Sequence, residues 1–339
     1  MENRSVIRQP NCLNTVRLMA ALLILLGHGI QHLGIVAPQW LIWLISYFRG
    51  VPVFFVLSGF LIWESLGRND GKQYARKRFF RIYPELWGAV ALGLIVMLIL
   101  YRQTISLPQL GTFTLTQSTF LQFWTPDCLR GYGCGTPNGA LWTICVQVQF
   151  YIVIWIAYKL LKKRKIGTWL VVMSTCAVVS ALLPLLKSGL PEIGYKLLQQ
   201  TLLPYFWLFM LGCLLAKYSE EILPWLRRLW PVLLILAAVV KWSGFDIEAG
   251  YDLLHSSFMT AGLIGFAYCL PKLNIRIDIS YGVYIYHMIV INAMIALGFR
   301  GSWGDLAITI LITCLLALVS TLTLGRLGDR KNKKAGELL

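Results

Sequence analysis

The sequence predicts an all-α fold, a polytopic membrane helix bundle of about ten transmembrane helices with both termini cytoplasmic. Three observations carry this. The 339 residues are 57% hydrophobic and only 14% charged, with mean hydropathy +0.66, whereas soluble domains carry about 25% charge. Apolar runs of spanning length recur from the first segment to the last. Lys and Arg gather in the short stretches between alternate runs.

Taken in order, the expected spans are 16–34, 42–64, 84–101, 141–160, 168–186, 201–217, 230–243, 253–270, 279–298 and 305–325. The first lacks a small-residue cleavage site and leads straight into further apolar sequence, so it reads as a span and not as a cleaved signal. Residues 40–48 are expected as an interfacial turn before Arg49. The seventh run is short and ends at Lys241. The longest connection, 102–140, carries Gly, Pro, Thr, Trp124 and Asp127 without evident regular structure; such loops are often functional. The whole of 1–339 is expected as one membrane domain, with a short N-terminal cytoplasmic segment, 1–12, and a basic cytoplasmic tail, 326–339.

The orientation rests on charge. With the N-terminus inside, the inner segments 1–17, 67–83, 159–165, 217–228, 272–276 and 326–334 hold 24 of the 31 Lys and Arg residues, and the outer connections hold seven. The same distribution turns the net charge of +16 away from nucleic acid and toward membrane topology and anionic lipid, with an anionic cofactor as the other partner that basic loops can take. The eight cysteines mostly sit in apolar runs and read as small hydrophobes. Cys128 and Cys134 flank a polar loop and could pair if that loop faces an oxidising compartment. No Cys/His cluster has zinc spacing, so no metal is expected.

Within LNTVRLMAALLILLGHGIQHLG, residues 13–34, Arg17 and His28 stand eleven positions apart. At about 100° per residue they return to one helical face, about 16 Å apart along the axis. An arginine at the membrane edge then puts His28 near mid-bilayer, where an ionisable side chain marks function. Imidazole is also the side chain that exchanges a proton near neutral pH.

Five stretches together carry a resemblance. NTVRLMAALLILLGH, RGVPVFFVLSGFLIW (49–63), ARKRFFRIYPELW (75–87), NGALWTICVQVQFYIV (138–153) and ISYGVYIYHMIVI (279–291) resemble, in order and spacing, the signatures of acyltransferase family 3. The resemblance implies a stand-alone integral-membrane enzyme that moves an acyl group, usually acetyl, from cytoplasmic acyl-CoA to a hydroxyl of an extracytoplasmic cell-surface glycan or lipid-linked sugar, and a bacterial inner-membrane location. No metal cofactor is implied.

Under that reading His28 is the general base that takes the proton of an attacking sugar hydroxyl; the plainer alternative is a hydrogen-bonded core histidine. Arg17 binds a CoA phosphate or orients the site, or else is a topology-setting arginine whose head reaches the interface. Arg76, Arg78 and Arg81, with Lys77, form a basic cluster suited to the donor's phosphates, although ordinary inner-side charge accounts for part of it. Tyr284 and His287 lie either near the donor's thioester or in the packed core. Arg49, on the sparsely charged side, is expected to hold the acceptor or a carboxylate. Trp142 and Tyr151 are candidates to line the acceptor path. Gln147 occupies a position where the family usually has Glu; it keeps hydrogen-bonding capacity but loses the charge.

Two other classes remain open on sequence grounds. One is a transporter of lipid-linked sugar or another anion, in which buried charges mark a substrate path; internal inverted repeats, its usual sign, are not evident. The other is a membrane partner subunit that has lost catalysis, which Gln147 favours. The charge asymmetry makes a direct prediction: an alkaline phosphatase fusion after Leu115 is expected to be active and one after Lys72 inactive, and the reverse pattern would invert the orientation.

Overall fold

The computed structural model describes residues 6–327 except 102 and 123; most of the expected basic tail, 326–339, and the first five residues of the N-terminal segment lie outside the described residues. Among the described residues thirteen α-helices follow one another: α1 Leu13–His32, α2 Gln39–Tyr47, α3 Gly50–Arg68, α4 Gly71–Leu100, α5 Leu107–Ser118, α6 Trp142–Leu161, α7 Ile166–Leu182, α8 Glu192–Leu198, α9 Phe206–Lys217, α10 Ser219–Ser243, α11 Leu253–Cys269, α12 Ser280–Ala296 and α13 Trp303–Ser320. A two-stranded antiparallel hairpin, β1 Glu248–Ala249 and β2 Tyr251–Asp252, precedes α11.

Among the described residues, seven helical stretches are long and apolar enough to cross a membrane: α1, α2 with α3, α4, α6, α7, α10 and α13, some with a short flanking turn. Three further apolar helices, α9, α11 and α12, are shorter, at 12, 17 and 17 residues. At 1.5 Å per residue α9 rises only about 18 Å, against a hydrocarbon core of about 30 Å. Large side chains such as Ile152, Val171, Ile235 and Leu311 are exposed. In water such a surface would drive aggregation; in hydrocarbon it is the ordinary outside of a membrane protein.

Three elements differ from the sequence reading. The interfacial turn expected at 40–48 is a nine-residue helix, α2, presenting Trp40 and Trp43 outward. The connection 102–140 is not irregular throughout. It contains α5, started by Ser106, whose hydroxyl accepts from Gln109 N, with Pro108 in the first turn; 3-10 turns follow at Asp127–Leu129 and Gly139–Leu141. The third span does not begin at 84. Its helix starts at Gly71 and runs through Pro84, so the basic segment is a helical extension of the apolar run. Cys128 and Cys134 are both free thiols.

The helices group into two compact units, each built from three separate stretches of chain. The first comprises Met1–Ala20, Tyr47–Gly71 and Val146–Arg276. Two of its helices, α3 and α9, approach backbone to backbone where Gly59 and Gly212 sit against each other's chain; a Cβ at either would overlap a carbonyl, of Phe209 or Val56. Helices in lipid gain little from hydrophobic exclusion, so small residues that let backbones approach supply the packing. Around this contact pack Phe55, Phe150 and Phe209, and Trp63 meets Trp169 edge-on at 4.7 Å.

The second unit comprises Ala21–Ser46, Lys72–Cys145 and Ile277–Leu339. Its centre is α12, buried along nearly its whole length. A helix apolar on every side belongs inside a bundle. Gly282 lets it approach α13 at Ala317. Replacing Gly59 with Leu is expected to lower the melting temperature in detergent far more than Ser58→Ala does, through an overpacking cost of about 1–3 kcal/mol or more; equal melting temperatures would remove the close approach.

Candidate active site

The second unit holds the polar cluster that the sequence pointed to. His28 lies in the last turns of α1. That helix ends where Ile35 N–H donates to Ile30 O at 3.0 Å and Gly34 adopts φ +68. This is a Schellman stop, which only glycine enters cheaply. His28 is half-buried and His287, on α12, is fully buried. His28 Nδ1 and His287 Nε2 are 2.9 Å apart, with ring centroids 5.1 Å apart and planes at 28°. His287 Nδ1 lies 2.6 Å from the carbonyl oxygen of Tyr284. His32 contacts the His28 ring edge-on at 5.8 Å.

These contacts fix protons. A carbonyl oxygen only accepts, so His287 carries its proton on Nδ1 and donates it to Tyr284 O. In the neutral ring Nε2 is then an acceptor, and His28 Nδ1–H must be the donor to it. That leaves the lone pair of His28 Nε2 outside this hydrogen-bond chain, on the ring that is only half-buried. The pair therefore presents one basic nitrogen, aimed by a chain of two hydrogen bonds anchored on backbone.

Side chains around α12 hold that chain in place. The Tyr284 hydroxyl donates to Ala140 O at 2.9 Å and so can accept from Thr143, 2.8 Å away. Asn138 Nδ2 donates to Ile285 O at 2.9 Å. Asn292 accepts from Cys134 N at 2.8 Å and donates to Thr136 O and Pro137 O, both at 2.9 Å. The approach is close enough that a Cβ on Gly133, at φ +55, would collide with the Asn292 side chain. Segment 133–143 is thus stapled to residues 284–292 of the helix that carries His287.

The basic cluster lies on the first turns of α4. Arg76 stacks over Phe80 at 5.7 Å and Arg78 over Tyr74 at 5.8 Å. Arg81 pairs with Asp278 at 3.3 Å. Asp278 Oδ1 in turn accepts from Ser280 N and Ser280 Oγ, at the start of α12. Arg81 is thereby engaged in seating α12, a role that the expectation of donor binding did not include.

The remaining candidates are distributed. Arg17 is half-buried on α1, Trp142 opens α6, and Tyr151 is half-buried on the same helix. Gln147, in the first unit, has its Nε2 buried without a hydrogen-bond partner. Arg49, in the first unit, pairs with Asp252 at 3.5 Å. Reasoning from sequence missed Thr143, Asn292 and Asp278. Asn292 and Thr143 are fully or nearly buried polar residues in apolar runs, the signal that intramembrane polar groups give. Among the described residues no group of three or more His, Cys, Asp or Glu is placed to hold a metal ion.

A family model described as an acyltransferase domain matches residues 11–325. The chain belongs to acyltransferase family 3. Relatives within reach of this acyltransferase include Nodulation protein 10 of Rhizobium leguminosarum bv. viciae, 28% identical over 86% of each chain. An O-acetyl transferase of Shigella phage Sf6 is 26% identical over 89% of this chain and 92% of its own. The peptidoglycan O-acetyltransferase OatA of Listeria monocytogenes serovar 1/2a is 27% identical over a segment of 128 residues, 35% of this chain and 20% of its own. No solved structure matches the acyltransferase. Replacing Asn292 with Leu strands three backbone groups and is expected to destabilise the protein by about 1–3 kcal/mol, read as a lower melting temperature in detergent; an unchanged melt would show that the staple holds nothing.

Proposed function

We propose that this acyltransferase moves an acyl group, most simply acetyl, from cytoplasmic acyl-CoA to a hydroxyl of an extracytoplasmic glycan or lipid-linked sugar, with His28 as general base. The observation that carries the reading is the oriented pair: His28 Nδ1 bonded to His287, which is itself fixed by Tyr284 O. His28 Nε2 takes the hydroxyl proton while the hydroxyl oxygen forms a bond to the thioester carbonyl carbon. The tetrahedral intermediate collapses, the C–S bond breaks, and the departing CoA sulfur takes the proton back from His28 Nε2. The imidazolium formed between these steps keeps its Nδ1–H bond to His287, so the positive charge has an acceptor beside it.

His287 and Tyr284 are positioning residues in this scheme, since both are buried and neither offers the basic atom. His287 orients His28 from within the second unit, so the scheme asks for no carboxylate at position 147. Arg76 and Arg78, with Arg17, are the donor-phosphate candidates, supported by a cluster of cations at the basic end of α4. Trp142, Gln147, Tyr151 and Arg49 keep the acceptor role read from the motifs. The chain is read as one domain because each unit is made of three interleaved stretches. It is read as spanning about ten times because α9, α11 and α12 match the three runs beyond the seven long ones. Charge asymmetry supports cytoplasmic termini. The Shigella phage relative is named an O-acetyl transferase and the Listeria relative a peptidoglycan O-acetyltransferase, which supports the acetyl donor and a glycan acceptor; the bacterial inner membrane is proposed from the family resemblance.

Acyl transfer is expected to fall about 10²–10⁴-fold in His28→Ala, measured as glycan acyl mass in cells with matched expression; undiminished acylation would remove the base. Arg76→Ala combined with Arg78→Ala is expected to weaken CoA binding in detergent while leaving the melting temperature unchanged. Unaltered affinity would put the donor elsewhere. Arg81 is left intact in that variant because it holds Asp278.

A further inference from the structure

The turn between α6 and α7, in the first unit, carries Lys162, Lys163, Arg164 and Lys165 in succession, with Lys159 just before it. All five residues are exposed, and the mechanism uses none of them. Like charges this close repel one another, yet the backbone beneath them is tied down. Arg164 N donates to Leu161 O at 3.0 Å, and Thr168 N to Lys165 O at 3.1 Å. Trp169, fully buried, donates from Nε1 to Leu161 O at 3.2 Å. Lys217, the last residue of α9, donates from Nζ to Leu161 O at 3.3 Å and to Arg164 O. A sixth cation thus satisfies carbonyls at the C-terminal end of α6, and the five others stay outside. No acid answers them. Arg8 and Arg68 share Glu64 at 3.0 and 3.4 Å, and Arg49 and Lys241 share Asp252. Glu220 and Glu221 lie in the first turn of α10. Among the described residues none of the five cations pairs with a carboxylate.

We propose that this turn is a binding site for the headgroup of an anionic phospholipid. Charge complementarity is one half of the argument, since basic residues at a membrane surface attract anionic headgroups. The flanking helices are the other half, and they select a lipid over a soluble phosphate. Ile152, Ile156 and Leu160 recur at every fourth position of α6 and are each more than half exposed, so one apolar stripe leads up to the turn. Beyond the turn Ile166 and Leu170 are again four apart and exposed. Outward apolar stripes meeting a cationic turn match a molecule with a phosphate at the end of acyl chains; a soluble phosphate or a nucleotide would leave the stripes unused. Membrane topology asks only for the charges. It does not ask that Lys217 and Trp169 fix the turn that displays them, and a fixed turn loses less entropy when a headgroup binds. Neither His28 nor His287 enters, so this site stands or falls apart from the acyl-transfer reading.

The test uses purified full-length protein in a non-ionic detergent at about 0.15 M salt, where long-range attraction is screened. Acetylation of single lysines by an amine-reactive ester is followed by mass spectrometry while dioctanoyl phosphatidylglycerol is added. Dioctanoyl phosphatidylcholine, glycerol 3-phosphate and coenzyme A are the comparison probes. Phosphatidylglycerol is expected to slow acetylation of Lys162, Lys163 and Lys165 saturably and to leave the exposed Lys187 of the same unit unchanged. The comparison probes are expected to protect none of them. In Lys163→Gln combined with Lys165→Gln, protection of Lys162 is expected to need about 30-fold more phosphatidylglycerol, the effect of two surface cations. If that variant does not fold, the probe comparison on the parent protein decides. The site is overturned if phosphatidylcholine protects equally, if Lys187 slows in parallel, or if the double variant is protected as the parent is. Protection by glycerol 3-phosphate or coenzyme A overturns it too, in favour of a soluble phosphate or a nucleotide.

Discussion

The hydrogen bond between His28 Nδ1 and His287 Nε2, 2.9 Å long, is the constraint from which the rest of the site follows. An imidazole alone in an apolar helix has two nitrogens and no reason to prefer one tautomer. Here the second ring decides for the first. The second ring is decided in turn by the carbonyl of Tyr284. Direction and tautomer converge on one nitrogen, His28 Nε2, through two hydrogen bonds on different helices.

Holding such a bond inside a membrane demands that both helices be placed to within a fraction of an ångström. On the His28 side, the Schellman stop at Gly34 ends α1 soon after His32, one turn beyond His28. On the His287 side, α12 is buried all round. It is fastened by Tyr284, Asn138 and Asn292 to segment 133–143, and at its start by Asp278 to Arg81. The motifs that looked like separate catalytic signatures are in large part the two halves of these fastenings. Arg81 of the third stretch meets Asp278, just before the fifth, and Asn138 and Thr143 of the fourth meet Ile285 and Tyr284 of the fifth.

Much of this was legible beforehand. Apolar runs and their charged boundaries located the helices, because hydrocarbon length and backbone hydrogen bonding leave a membrane chain few options. The Arg17–His28 spacing singled out the helix whose His28 is bonded to His287. What was not legible lies in pairings across great sequence distance. His28 and His287 are 259 positions apart, and no local pattern says that one orients the other, so His287 was left open between the donor's thioester and the packed core. Arg81 looked like one more phosphate ligand because its acidic partner is 197 positions away. The helix in 107–118 was hidden because its apolar content is weak and its start depends on one serine cap.

The anchor at the end of the histidine chain is a main-chain oxygen. Residue 284 can be exchanged for any other amino acid and the carbonyl at that position remains, so no codon change at 284 deletes the acceptor itself. Drift can erode the side chains that brace this helix one at a time, but the element that sets the protonation pattern has no genetic address of its own. Heritable variation reaches it only by remodelling the helix as a whole.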